Sequence, residues 1–120
     1  MKILVLDDDP LVRDTVTELL CDAGFEVRDA ADPKEALELL ATAEAPPGLL
    51  ITDIDLGSNI NGYDVAAIAH RRWPTVRIIL ISGQPHKRTK QPLDPRDEFL
   101  QKPFSQGELL QAINALVNGT

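Results

Sequence analysis

Short apolar runs alternate along this chain with longer stretches in which apolar residues recur every three or four positions. The short runs, Lys2–Leu6, Phe25–Arg28, Leu49–Thr52, Val76–Ile81 and Glu98–Leu100, predict five strands. Ile3–Leu6, Leu49–Ile51 and Ile78–Ile81 are apolar throughout, as parallel strands buried on both faces should be. The longer stretches, Pro10–Ala23, Pro33–Ala43, Gly62–Trp73 and Ser105–Val117, predict four helices. In the first, Leu11, Val12, Val16, Leu19, Leu20 and Ala23 share one face; in the last, Leu109, Ala112, Ile113 and Leu116 do so.

The polar residues between these runs mark the helix ends. Asp9-Pro10 and Asp32-Pro33 each place a capping acid before a proline at the first helical position. Asp32 with Glu35, and Ser105 with Glu108, have the three-residue spacing of a capping box. Gly24 stops the first helix, and Trp73-Pro74 closes the third. Strands alternating with helices through short connections predict an α/β fold: a five-stranded parallel sheet covered on both faces. The whole of 1–120 reads as one domain, with no repeat, low-complexity tract or linker.

The rhythm breaks between Ser82 and Asp97, where a helix should join the fourth and fifth strands. That segment holds Pro85, Pro92 and Pro95, with His86, Lys87, Arg88 and Lys90 and few apolar residues. A proline inside a helix removes a donor and clashes with the preceding turn, at about 3 kcal/mol each. The expectation here is a short, irregular or disordered segment, a mobile loop with one turn at most.

Composition narrows the function. With 12 basic and 19 acidic residues the net charge is −7, a poor match for nucleic acid or an anionic membrane. The basic clusters Arg71-Arg72 and His86–Lys90 are too small to reverse that. The lone Cys21 cannot form an internal disulfide, which suits a reducing compartment, and it reads as a small packing residue. No run approaches the roughly 20 apolar residues that span a bilayer. Three aspartates follow the first apolar run directly, so that run is not a signal peptide. The expected location is the cytoplasm.

Candidate chemistry gathers at the carboxyl ends of the strands, where open parallel sheets place functional groups. Asp7, Asp8 and Asp9 follow the first strand; Asp53 follows the third, with Asp55 just beyond; Ser82 follows the fourth and Lys102 the fifth. Each alone has a plainer reading, as a helix cap, a turn residue or a solvated lysine. Gathered together, the carboxylates should raise one another's pKa unless a cation sits among them. Hard oxygen ligands of this kind suit Mg²⁺, or Mn²⁺. A carboxylate beside such an ion can attack phosphorus and form an aspartyl-phosphate. Lys102 would offset charge on the phosphoryl oxygens and Ser82 could donate to one of them.

Leu4-Val5-Leu6-Asp7-Asp8-Asp9-Pro10, Leu50-Ile51-Thr52-Asp53, Ile79-Leu80-Ile81-Ser82-Gly83 and Lys102-Pro103-Phe104 together resemble the response-regulator receiver domains, which include the chemotaxis regulator. The resemblance covers nearly the whole chain. It implies the flavodoxin-like strand order 2-1-3-4-5. It also implies that Asp53 accepts the phosphoryl group and ligates the metal, with Asp8 a direct ligand and Asp7 acting through water. Asp55 would lend its backbone carbonyl to the metal. Ser82 matches the switch hydroxyl and Lys102 the lysine that contacts the phosphoryl group, with Lys102-Pro103 a cis peptide. Phe99 stands at the aromatic switch position, although plain packing would also account for it. The implied phosphoryl donor is a histidine kinase or histidine phosphotransfer protein. An unknown downstream protein would read the result, with the receiver a monomer or a phosphorylation-dependent dimer. No output domain is expected within these residues, and no enzyme activity beyond assisting its own phosphorylation and dephosphorylation.

Two departures stand out. The loop after Asp53 has Gly57 where the family commonly has proline, and it is one residue longer, which bears on its rigidity. Asp55 adds a second carboxylate near the phosphoryl site and is expected to tune the hydrolysis of the aspartyl-phosphate. The irregular Ser82–Asp97 segment falls on the face that the family uses for dimerisation or output, so either an order–disorder switch or a plain solvated loop is expected there. Two other readings compete. Thr52-Asp53-Ile54-Asp55 resembles the nucleophile motif of haloacid dehalogenase phosphatases, but the acid cluster then comes too early in the chain and a cap is missing. A receiver-like docking scaffold that is never phosphorylated would not need Asp7, Asp8, Asp53, Ser82 and Lys102 intact. Neither a dinucleotide glycine fingerprint nor a P-loop is present.

Overall fold

Alternate residues of a strand point to opposite faces of its sheet, so strands that are apolar at every position need a core on each side. In the computed structural model, which describes residues 2–42, 45, 47–83 and 96–118, that is what the chain builds. The strands are β1 (Lys2–Leu6), β2 (Glu26–Ala30), β3 (Leu49–Asp53), β4 (Arg77–Ser82) and β5 (Glu98–Gln101). They form one parallel sheet in the order β2-β1-β3-β4-β5. Among the described residues there are four helices: α1 (Pro10–Asp22), α2 (Pro33–Thr42), α3 (Gly62–Arg72) and α4 (Gln106–Asn118).

Leu4, Leu6, Leu50, Ile78 and Leu80 face one way and share a core with Ala36 and Leu40 of α2 and Val65, Ala66 and Ala69 of α3. Ile3, Val5, Ile51, Ile79 and Ile81 face the other way. There they meet Val16 and Leu20 of α1 and Leu109, Ile113 and Leu116 of α4. The parallel α/β reading and the strand order implied by the resemblance both hold.

The helix starts follow the sequence signals. Asp9 accepts a hydrogen bond from the Leu11 N–H at 2.9 Å, with Pro10 opening α1. Ser105 and Glu108 form a reciprocal box, each backbone N–H donating to the other's side chain at 3.1 Å. The Asp32 carboxylate accepts from the Glu35 N–H at 2.8 Å, while Glu35 reaches back to the Ala31 N–H rather than to Asp32. Asn61 and Asp64 form a further box that starts α3. Gly24 adopts φ +94°, a conformation open to glycine, and ends α1.

Four strands differ from expectation at their ends. β2 begins one residue later than Phe25 and continues through Asp29 and Ala30, because an edge strand keeps its ladder to β1 where its side chains are polar. β3, β4 and β5 run one residue further, into Asp53, Ser82 and Gln101, and β4 also begins one residue later. Most of the segment expected to be irregular, residues 84–95, lies outside the described residues. Just before β5, buried Asp97 pairs with the His70 Nε2 of α3 at 2.8 Å.

Candidate phosphoryl-acceptor site

Strand order reverses between β1 and β3, and at such a switch point the crevice opens beyond the carboxyl ends of the strands. β1 delivers Asp7 and Asp8 to it, β3 delivers Asp53, β4 Ser82 and β5 Lys102. Ladder bonds continue past the strands and hold these residues in register. The Asp7 N–H donates to the Ala30 carbonyl at 3.2 Å, the Ile54 N–H to Ile81 at 2.9 Å, and the Lys102 N–H to Ser82 at 2.8 Å.

Four of the sequence-predicted groups, Asp7, Asp8, Asp53 and Lys102, meet. Ligand oxygens of Asp7, Asp8 and Asp53 lie within 4.8 Å of one another, with Asp7 and Asp53 buried and Asp8 exposed. The Lys102 ammonium stands 3.3 Å from Asp7 Oδ2 and 3.3 Å from Asp53 Oδ2. Lys102-Pro103 is cis, as the resemblance implies. Ser82 is buried at the end of β4, paired in register with Gln101. Phe99 lies opposite Leu80 and packs, half-buried, on the core that α2 and α3 cover. Asp55 is exposed, and its backbone N–H donates to Asp53.

Electrostatics bind these groups together. Burial pushes the Asp53 carboxyl up to about 6, the Asp7 charge adds to this, and Lys102 with the Asp55 N–H works against it. Burial alone would lower the Lys102 pKa, but Asp53 and Asp7 outweigh it and hold the ammonium above its ordinary value. Two of the three carboxylates, Asp7 and Asp53, thus share one lysine. The donor set is entirely hard oxygen, with one open side at exposed Asp8, and it fits a divalent cation such as Mg²⁺ or Mn²⁺.

Three contributors escape a reading of the sequence. Arg13, one turn into α1, donates from Nη1 to the Asp7 carbonyl at 2.9 Å and pairs through Nε with Asp29 at 3.4 Å, bracing the β1 end against β2. A β-carbon on Gly62 would overlap the Asp53 carbonyl oxygen and come within 2.8 Å of the Ile54 Cα. A β-carbon on Gly57 would come within 3.1 Å of Asp8 Oδ2. The charge pattern gives no hint of Arg13, since arginine on a helix is ordinary. The glycines carry a signal only through the chain's need to turn twice within one short loop.

The chain is similar in sequence and fold to known proteins over nearly its whole length. Residues 3–114 match the response regulator receiver domain. Protein PilG of Pseudomonas aeruginosa is 31% identical over 98% of this chain and 87% of its own length. The nitrogen assimilation regulatory protein NtrX of Azorhizobium caulinodans is 33% identical over 90% of this chain, yet the match covers only 24% of that protein. The chain likewise spans about a quarter of the NtrX-like regulators of Rickettsia that it matches. Among solved structures, a response regulator receiver protein from Sinorhizobium medicae superposes with a TM-score of 0.89 at 30% identity, covering 98% of this chain and 94% of that one. The response regulator TrrA of Thermotoga maritima, solved with Mg²⁺ and BeF, gives 0.82 at 30% identity over 96% and 97%. On sequence, fold and the residues at its switch point, this chain belongs to the response regulator receiver domains of two-component signalling.

Proposed function

We propose that Asp53 accepts a phosphoryl group from a phosphohistidine of a histidine kinase or histidine phosphotransfer protein, and that the modified receiver changes its affinity for a downstream protein. The observation that supports this best is the meeting of Asp7, Asp8, Asp53 and Lys102, carried by three strands, at one crevice. A bound Mg²⁺ would be held by Asp8 and Asp53, with Asp7 through water and the Asp55 carbonyl, and would supply charge neutralisation for an incoming phosphate. An Asp53 carboxylate oxygen forms the new O–P bond as the donor's P–N bond breaks, and the imidazole leaves with the bonding pair. Lys102, fixed between Asp7 and Asp53, moves to the phosphoryl oxygens as a point charge. Ser82 donates its hydroxyl to one of those oxygens, and Phe99 turns inward with it. Asp55, exposed beside the acceptor, tunes how fast water removes the phosphoryl group. The protein then acts as a stoichiometric acceptor rather than an enzyme that turns over phosphate esters.

Incubation with Mg²⁺ and a small acyl phosphate, followed by intact mass, tests this. Wild type gains one phosphoryl group, and Asp53→Asn and metal-free samples gain none. Asp55→Asn gains one and loses it at a different rate. Labelling of Asp53→Asn, or steady release of phosphate far beyond one equivalent, would reject the reading.

A further inference from the structure

The loop that leaves β3 runs beside Asp8 before α3 begins. Leu56 is buried in the core and Ile60 is packed against it, so the backbone between them has little freedom to shift. Gly57 sits in that span with φ +60°, and a β-carbon there would stand 3.1 Å from Asp8 Oδ2. That is nearer than the roughly 3.3–3.6 Å of even attractive carbon–oxygen contacts. The loop therefore runs so near an exposed carboxylate that a β-carbon at this position would have to displace it.

We infer that Gly57 is a positioning residue for the divalent cation: the missing β-carbon leaves the Asp8 carboxylate the space in which it lies beside Asp53 and Asp7. The inference rests on reading these three aspartates as the cation site. Asp8 is flexible and exposed, so a side chain at position 57 displaces it at small expense to the fold. The same displacement is severe for the metal, because Mg²⁺ demands ligand oxygens at about 2.0–2.1 Å in a near-octahedral array. Residues that orient metal ligands without touching the metal change affinity by about 10–100-fold. Position 57 thus acts on cation affinity more strongly than on stability. Proline, common here in the family, cannot take a positive φ, so this loop solves the same task with another backbone shape.

Mn²⁺ alone serves as the probe, with free Mn²⁺ counted by electron paramagnetic resonance against the folded protein. Gly57→Asn tolerates the left-handed backbone yet carries a β-carbon, and so separates the close approach from the φ requirement. Both Gly57→Asn and Gly57→Ala are expected to weaken Mn²⁺ binding by about tenfold or more. The neighbouring Ser58→Ala leaves it within about twofold. In an Asp8→Asn background the Gly57→Ala change adds less than about twofold, because the carboxylate it acts through is gone. Gly57→Asn that binds within about twofold of wild type, or an undiminished Gly57→Ala effect without Asp8, overturns the inference. Wild type that leaves all Mn²⁺ free overturns instead the cation reading beneath it.

Discussion

Asp53 sits under opposing influences. Burial and the Asp7 charge favour its protonated form, while Lys102 and the Asp55 N–H favour the carboxylate, and the balance puts its pKa at about 6 against an ordinary 3.8. Since the folded pKa lies above the unfolded one, folding is unpenalised below 3.8. Stability is then lost as pH rises towards 6, and the deficit persists above it. Asparagine has nearly the same shape and no charge. Asp53→Asn should therefore stabilise the metal-free protein by about 2 kcal/mol at pH 7.5 and by almost nothing at pH 3.5. Urea unfolding at the two pH values, with chelator present, checks this; equal differences at both would contradict the shift. The sequence places these acids at strand ends that share one rim, which leads to the expectation of a cation. It does not show that Lys102 bridges Asp7 and Asp53 at equal distance, because that geometry depends on where β5 ends relative to β1 and β3.

Elements place these residues through their ends. β3 is buried at all five positions and ends in Asp53, so the proposed acceptor is attached to the most fully buried strand of the sheet. The Asp53–Gly62 connection then doubles back, its Gly62 N–H donating to the Ile54 carbonyl at 2.8 Å as α3 starts under the Asn61–Asp64 box. No β-carbon fits there without pushing the Asp53 and Ile54 backbone aside. Gly62→Ala is accordingly expected to destabilise the protein by about 1–3 kcal/mol and to slow acyl phosphate labelling of Asp53. Thermal unfolding and intact mass measure the two effects; a stable, fully reactive variant would show that α3 can slide away. Periodicity predicted every described helix and strand to within a residue or two. It misjudged β2 because apolar pattern tracks burial, whereas an edge ladder continues wherever the neighbouring backbone is available. The departure at Gly57 is visible in the sequence as a missing proline, but its left-handed backbone and its approach to Asp8 are not.

Taken whole, the chain uses its two cores to bring together acids that stand far apart in sequence. The unfolded chain holds no such cluster, so a cation that binds the native crevice stabilises only the folded state. Mg²⁺ at about 100 times its dissociation constant should add about 2.7 kcal/mol, or roughly 10 °C in Tm. Asp8→Asn should abolish most of that rise, and thermal scans across a MgCl₂ series would reveal a flat response if the crevice does not bind the ion. Among the described residues no helix is long and apolar enough to cross a membrane. Local chemistry alone determined the strand and helix succession, the capping signals, the parallel sheet and the set of candidate groups, since each depends on side-chain polarity and backbone preference within a few positions. The crossing of the chain at β1 and β3 decided the rest: which carboxylates are buried, that Arg13 braces Asp7, and that two glycines admit the loop against Asp53 and Asp8. Those are distances between segments remote in sequence, and such distances exist only once the two faces of the sheet have been covered.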